Sequence, residues 1–101
     1  MAVEPLSPQE IEGRLAELPG WSVADGRLTR SYRLPSHVAA AAFVVHVAAV
    51  QEELDHHSDL TLGYDTVSLG VHTHSAGGAL TAKDFALARR VEDIAPGHGA
   101  H

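Results

Sequence analysis

The chain reads as a single-domain α+β sandwich of order αββαββα, a four-stranded antiparallel sheet with three helices on one face. Three observations predict it. Capping residues precede apolar positions at helical spacing in three places. The alternating segments come in two pairs, each joined by turn residues. Helices separate the pairs, so each hairpin stays local and the sheet is antiparallel. A length of 101 residues fits one domain.

The elements follow in order. Ser7-Pro8-Gln9-Glu10 opens a helix: Ser7 caps, Pro8 suits the first helical position and Glu10 completes a capping box. Ile11, Leu15 and Leu18 form its apolar stripe, and Pro19-Gly20 stops it. Trp21 to Val23 and Leu28 to Leu34 form a hairpin about Asp25-Gly26, with Trp21 expected in the core. Pro35-Ser36 breaks the strand, and Ser36 caps the longest helix, His37 to about His56, with Phe43, Val47, Val50 and Leu54 on one face. Leu60 to Tyr64 and Thr66 to His74 are the second strand pair, with Tyr64 expected to pack. Val67, Leu69, Val71 and Thr73 face the helices, while Ser68, Gly70, His72 and His74 face away. Ser75 to Gly78 reads as a flexible loop. Thr81-Ala82-Lys83-Asp84 opens the last helix in a second capping-box pattern, and Pro96-Gly97 ends it. The domain is therefore placed at 1–95, with 96–101 a flexible Gly-rich tail.

Composition narrows the function. No cysteine is present, which rules out disulfides, thiolate metal sites and a cysteine nucleophile and fits a cytoplasmic location. A net charge of −6 argues against nucleic acid and anionic membranes as partners. Met1 to Ser7 shows no signal-peptide pattern, and the apolar run Val38 to Val50 is too short to span a bilayer.

Histidine is abundant, with eight residues. Four cluster in pairs, His56-His57 at the end of the long helix and His72 with His74 at the end of a strand. Glu52 and His56 are four apart on one helix face, a spacing that predicts a carboxylate–imidazole hydrogen bond. Successive helical residues point about 100° apart, so His56 and His57 share a cavity only because the helix ends there. Imidazoles titrate near neutrality and serve as both general acid and general base. The bland readings are a helix-end cap for the first pair and a solvated strand face for the second. His72-Thr73-His74 with His56 or His57 also offers zinc ligands, but no H-E-x-x-H or carboxylate-rich motif accompanies them. His46 interrupts an apolar helix and is a candidate for a subunit interface.

The run Glu52-x-x-x-His56-His57-Ser58, then Tyr64, His74 and Asp84, resembles the signature of the pterin-4a-carbinolamine dehydratases. Leu6-Ser7, Trp21, Thr73-His74 and Leu80-Thr81-x-x-Asp84-x-x-Leu87-Ala88 extend the likeness from about Leu6 to Ile94. The resemblance implies a lyase that converts 4a-hydroxytetrahydropterin to quinonoid dihydropterin and water without metal or cofactor. It implies catalysis by His56, His57 and His74, and substrate contact by Asp55, His56 and His57 with His72, Thr73, His74 and Ser75. Glu52 and Asp84 are supporting residues, Asp84 also suiting a helix cap. The implied partners are a small-molecule pterin and further copies of the chain, as homodimer or homotetramer, in tetrahydropterin recycling. Departures are Ser58 in place of proline, expected to loosen the turn, Leu60 in place of an aromatic residue, and His72 in place of a small one. Two rival readings are a non-catalytic binding or assembly partner of the same fold and a metal-binding histidine cluster.

Overall fold

The computed structural model describes residues 4–101. Met1–Val3, which the sequence reading includes in the domain, lie outside the described residues. The elements are α1 (Pro8–Leu15), β1 (Ser22–Ala24), β2 (Arg27–Arg33), α2 (His37–Leu54), β3 (Asp59–Leu62), β4 (Thr66–Val71) and α3 (Ala82–Ile94). Short 3₁₀ turns follow at His74–Ala76 and Pro96–His98. The four strands form one antiparallel sheet in the order β1-β2-β4-β3, so the predicted α+β architecture is the one found.

Local chemistry explains each boundary. Ser7 and Thr81 both form complete capping boxes, with Glu10 and Asp84 as the returning carboxylates. Ser36 caps α2 through Ala39 N–H at 3.1 Å. Asp25 and Gly26 both have positive φ, 53° and 76°, as a two-residue hairpin of matching twist requires.

Register sets the core. Leu28, Arg30 and Tyr32 of β2 stand opposite Val71, Leu69 and Val67 of β4 on the helix-facing side. Ala40, Phe43, Val47 and Val50 of α2 and Phe85, Leu87, Ala88 and Val91 of α3 are buried with them. Leu54, expected on the same stripe, is half-buried at the helix end. Trp21 is buried, as expected, and its Nε1 donates to Glu92 Oε1 at 2.7 Å. The Tyr32 hydroxyl donates to the same oxygen, and the Arg30 guanidinium lies 4.1 Å from the Tyr32 ring centroid.

Four sequence expectations need correction. β4 ends at Val71, not at His74, because Thr73 leaves the sheet to bridge Ala79 (N–H to O 3.1 Å). Residues 75–78 are not a loose loop: Ala76 and Gly78 N–H both donate to Thr73 O, at 3.1 and 3.0 Å. Residues 96–101 fold back instead of trailing away. The His101 backbone exchanges two hydrogen bonds with Arg33, and His98 packs on Phe43 and meets His46 Nδ1 through Nε2 at 2.8 Å. Tyr64 does not enter the core; it is 79% exposed and stacks on His37 at 5.9 Å, since β3 already ends at Leu62.

Candidate active site

The site begins where α2 stops. Asp55 adopts the left-handed conformation (φ 50°, ψ 44°), and His56 N–H returns to Gln51 O at 3.0 Å. That reversal separates the two neighbouring imidazoles: His56 turns inward and is buried, while His57 remains exposed. The pairing expected from helical spacing is therefore not formed. Glu52 Oε2 lies 3.7 Å from His57 Nε2, and His56 Nε2 instead meets Asp84 Oδ1 at 2.7 Å. Gln51, buried at the helix end, accepts from Ser58 N–H at 3.0 Å and from the Ser58 hydroxyl. Serine thus ties the exit of the helix, where the sequence reading expected it to loosen; proline would have no N–H to donate.

Asp84 carries two duties. Its Oδ2 accepts from Thr81 N–H at 2.8 Å and from the Thr73 hydroxyl at 2.9 Å, and its Oδ1 faces His56. The side chain is fully buried. A carboxylate there is tolerable only because hydrogen bonds and an imidazole replace its lost water. The first turn of α3 adds the positive end of the helix dipole.

The second wall comes from the end of β4. His72 is half-buried, while His74 and Ser75 are exposed on the 3₁₀ turn. Thr73 is buried, and its hydroxyl turns inward to Asp84. Every residue expected to contact substrate, Asp55, His56 and His57 from one end and His72 to Ser75 from the other, lines a single depression of about 360 Å³. That volume falls within the roughly 300–1,000 Å³ common for small-molecule sites. A smaller hollow of about 150 Å³ shares His57, His72 and His74. A larger one, about 570 Å³, lies on the open sheet face around Arg27 and Asp59 and contains no histidine.

Two residues were not singled out as functional from sequence. Lys83 lines the depression, brought there by the α3 start. Thr81 joins the polar network behind it, through Oγ1 at 2.6 Å from Thr73 Oγ1. Their sequence signals were the capping box and, for Thr81, the family-like run Leu80-Thr81-x-x-Asp84, which placed the helix start but not what it faces. Leu60 is half-buried against the core. Among the described residues, no three His, Cys, Asp or Glu side chains are grouped as metal ligands, and no helix is long and apolar enough to cross a membrane.

Fold and site together define an α+β domain whose helix end and strand end line one imidazole-walled depression. The model of the family described as pterin 4 alpha carbinolamine dehydratase matches residues 4–94. A provisionally named pterin-4-alpha-carbinolamine dehydratase of Streptomyces coelicolor is 79% identical over 101 residues, spanning 100% of both chains. One of the same name from Chloroflexus aurantiacus is 46% identical over 89 residues, 88% of this chain and 95% of that one. The crystal structure of a transcriptional coactivator/pterin dehydratase from Brucella melitensis superposes with a TM-score of 0.83 at 32% identity, covering 90% of this chain and 98% of that one. The fold also recurs in a pterin dehydratase-like protein described as a RuBisCO assembly factor in the alpha-carboxysome (TM-score 0.59, 21% identity, 73% of this chain and 84% of that one). The chain belongs to the pterin 4 alpha carbinolamine dehydratase family.

Proposed function

We propose that this chain dehydrates 4a-hydroxytetrahydropterin to quinonoid dihydropterin by histidine general acid–base catalysis, within tetrahydropterin recycling. The observation that carries the reading is the convergence of His56, His57 and His74 on one depression large enough for a flat bicyclic ring.

The reaction is balanced by one proton in and one proton out. An imidazolium protonates the 4a-hydroxyl, the C4a–O bond breaks and water leaves with the bonding pair. The N5 lone pair forms the C4a=N5 double bond, and a neutral imidazole takes the N5 proton. His57 or His56 serves as the acid and His74 holds or deprotonates the ring. Each proton transfer contributes about 10²–10⁴-fold. Asp55, His72 and Ser75 line the same depression, which supports assigning them to the edge of the ring.

The working form is a homodimer or homotetramer. Supporting it, α2 leaves Val38 (77%) and Val45 (69%) exposed beside small alanines, a face suited to close helix packing. Sedimentation equilibrium of the purified protein checks this, and a monomer at micromolar concentration contradicts it.

The direct test follows quinonoid dihydropterin appearance from freshly generated 4a-hydroxytetrahydropterin. The wild type accelerates it, and His74→Ala lowers kcat/KM at least about tenfold with unchanged circular dichroism. No acceleration by the wild type removes the proposal.

A further inference from the structure

A polar network lies behind the depression and ties His56 to three side chains that take no part in the proton transfers. Four buried side chains form it: His56, Thr73, Thr81 and Asp84. Their hydrogen bonds have only one consistent direction. Carboxylate oxygens accept, and the single hydrogen of the Thr73 hydroxyl goes to Asp84 Oδ2, 2.9 Å away. Thr73 Oγ1 can then only accept from Thr81 Oγ1 at 2.6 Å, and Thr81 Oγ1 accepts in turn from Lys83 N–H at 3.2 Å. On the other carboxylate oxygen, Oδ1 faces His56 Nε2 at 2.7 Å, which makes Nε2 the protonated nitrogen. His56 Nδ1 has no partner among the described residues. Every buried side-chain nitrogen and oxygen among those residues does have one, so Nδ1 is not sealed in. His56 lines the depression.

We infer that Thr73 and Thr81 are positioning residues: their hydroxyls lock the Asp84 carboxylate so that neutral His56 keeps its proton on Nε2 and presents Nδ1, free to take up and return the reaction's proton, to the depression. The catalytic consequence rests on the function proposed above; the tautomer does not. The chain runs from the backbone at the start of α3 to the imidazole, so each bond polarises the next. Without the Thr73 hydroxyl, Thr81 holds a buried hydrogen with no acceptor. The carboxylate then turns to take it, because an unmade buried hydrogen bond is costly, and His56 loses its orienting partner. Thr73, expected to touch substrate, acts with its hydroxyl through Asp84 instead.

The test is ¹⁵N NMR of the imidazoles at a pH where they are neutral, paired with steady-state kinetics. Wild-type His56 should show the protonated-Nε2 pattern. Thr73→Val should give a tautomer mixture and lower kcat about tenfold with KM within about twofold, a part of one acid–base contribution; Thr73→Ser should restore both. A protonated-Nδ1 pattern in the wild type overturns the inference, as does a folded Thr73→Val variant with unaltered pattern and kcat. The wild-type spectrum decides the tautomer even if the valine variant does not fold. It also does so if the wild type turns over no pterin, a result that would remove only the proposed function.

Discussion

His56 and His57 are sequence neighbours with opposite surroundings. One is buried against a carboxylate at 2.7 Å; the other is 55% exposed with a carboxylate at 3.7 Å. The difference comes from Asp55, whose left-handed backbone points successive side chains to different sides. Sequence spacing assigned the carboxylate partner of His56 to Glu52, because it assumed the helix continued. The true partner, Asp84, lies 28 residues away. Asp84 was legible as a cap, since a capping box is a local pattern, but its second role depends on where α3 docks. Replacing Asp84 with Asn keeps the shape and removes the charge. Its kcat for pterin dehydration should fall about 10²-fold, with most of the KM retained. Steady-state assays of the folded variant measure this.

At the scale of elements, boundaries set the site. The sequence located every helix and both hairpins, because caps and alternation are written locally. It carried β4 three residues too far and left the following turn loose. The reason is that Thr73 keeps the alternating pattern while pairing with Ala79 instead of a sheet strand. The exit of α2 depends on Gln51, a polar residue on the buried face of the helix. Its side chain holds Ser58 through both N–H and hydroxyl. Gln51→Ala leaves those donors without their acceptor and should cost about 2 kcal/mol, read as a lower urea midpoint at constant m-value. Ser58→Ala removes only one of the two bonds and should cost less.

Across the whole molecule, α3 is tied to the first hairpin by one carboxylate. Glu92 Oε1 accepts from both Trp21 and Tyr32. Burial, and then the Glu92 carboxylate it donates to, hold the Tyr32 phenol above its ordinary value of 10. The sign follows: a proton affinity raised by folding gives stability that is complete below pH 10 and is lost as pH climbs beyond it. Unfolding titrations above that pH should show this loss, and Tyr32→Phe should flatten it. That network joins positions 60 to 71 residues apart, beyond the reach of local pattern. The same holds for the C-terminal residues, whose Gly-rich composition suggests a loose end although Arg33 and Phe43 hold them. The sheet and its helices were legible because strand pairing here is mostly between near neighbours, and the one crossover, β2 to β3 through α2, is carried by a well-capped helix.

The most direct measurement uses the eight histidines as their own control. A stable dihydropterin is titrated into the protein while the imidazole resonances are followed by NMR. The resonances of His56, His57 and His74 should move together and saturate with one dissociation constant, while those of His37, His46 and His98 stay in place. Movement confined to the second set, or binding that leaves the first set untouched, would contradict a shared pterin site at the meeting of helix and strand.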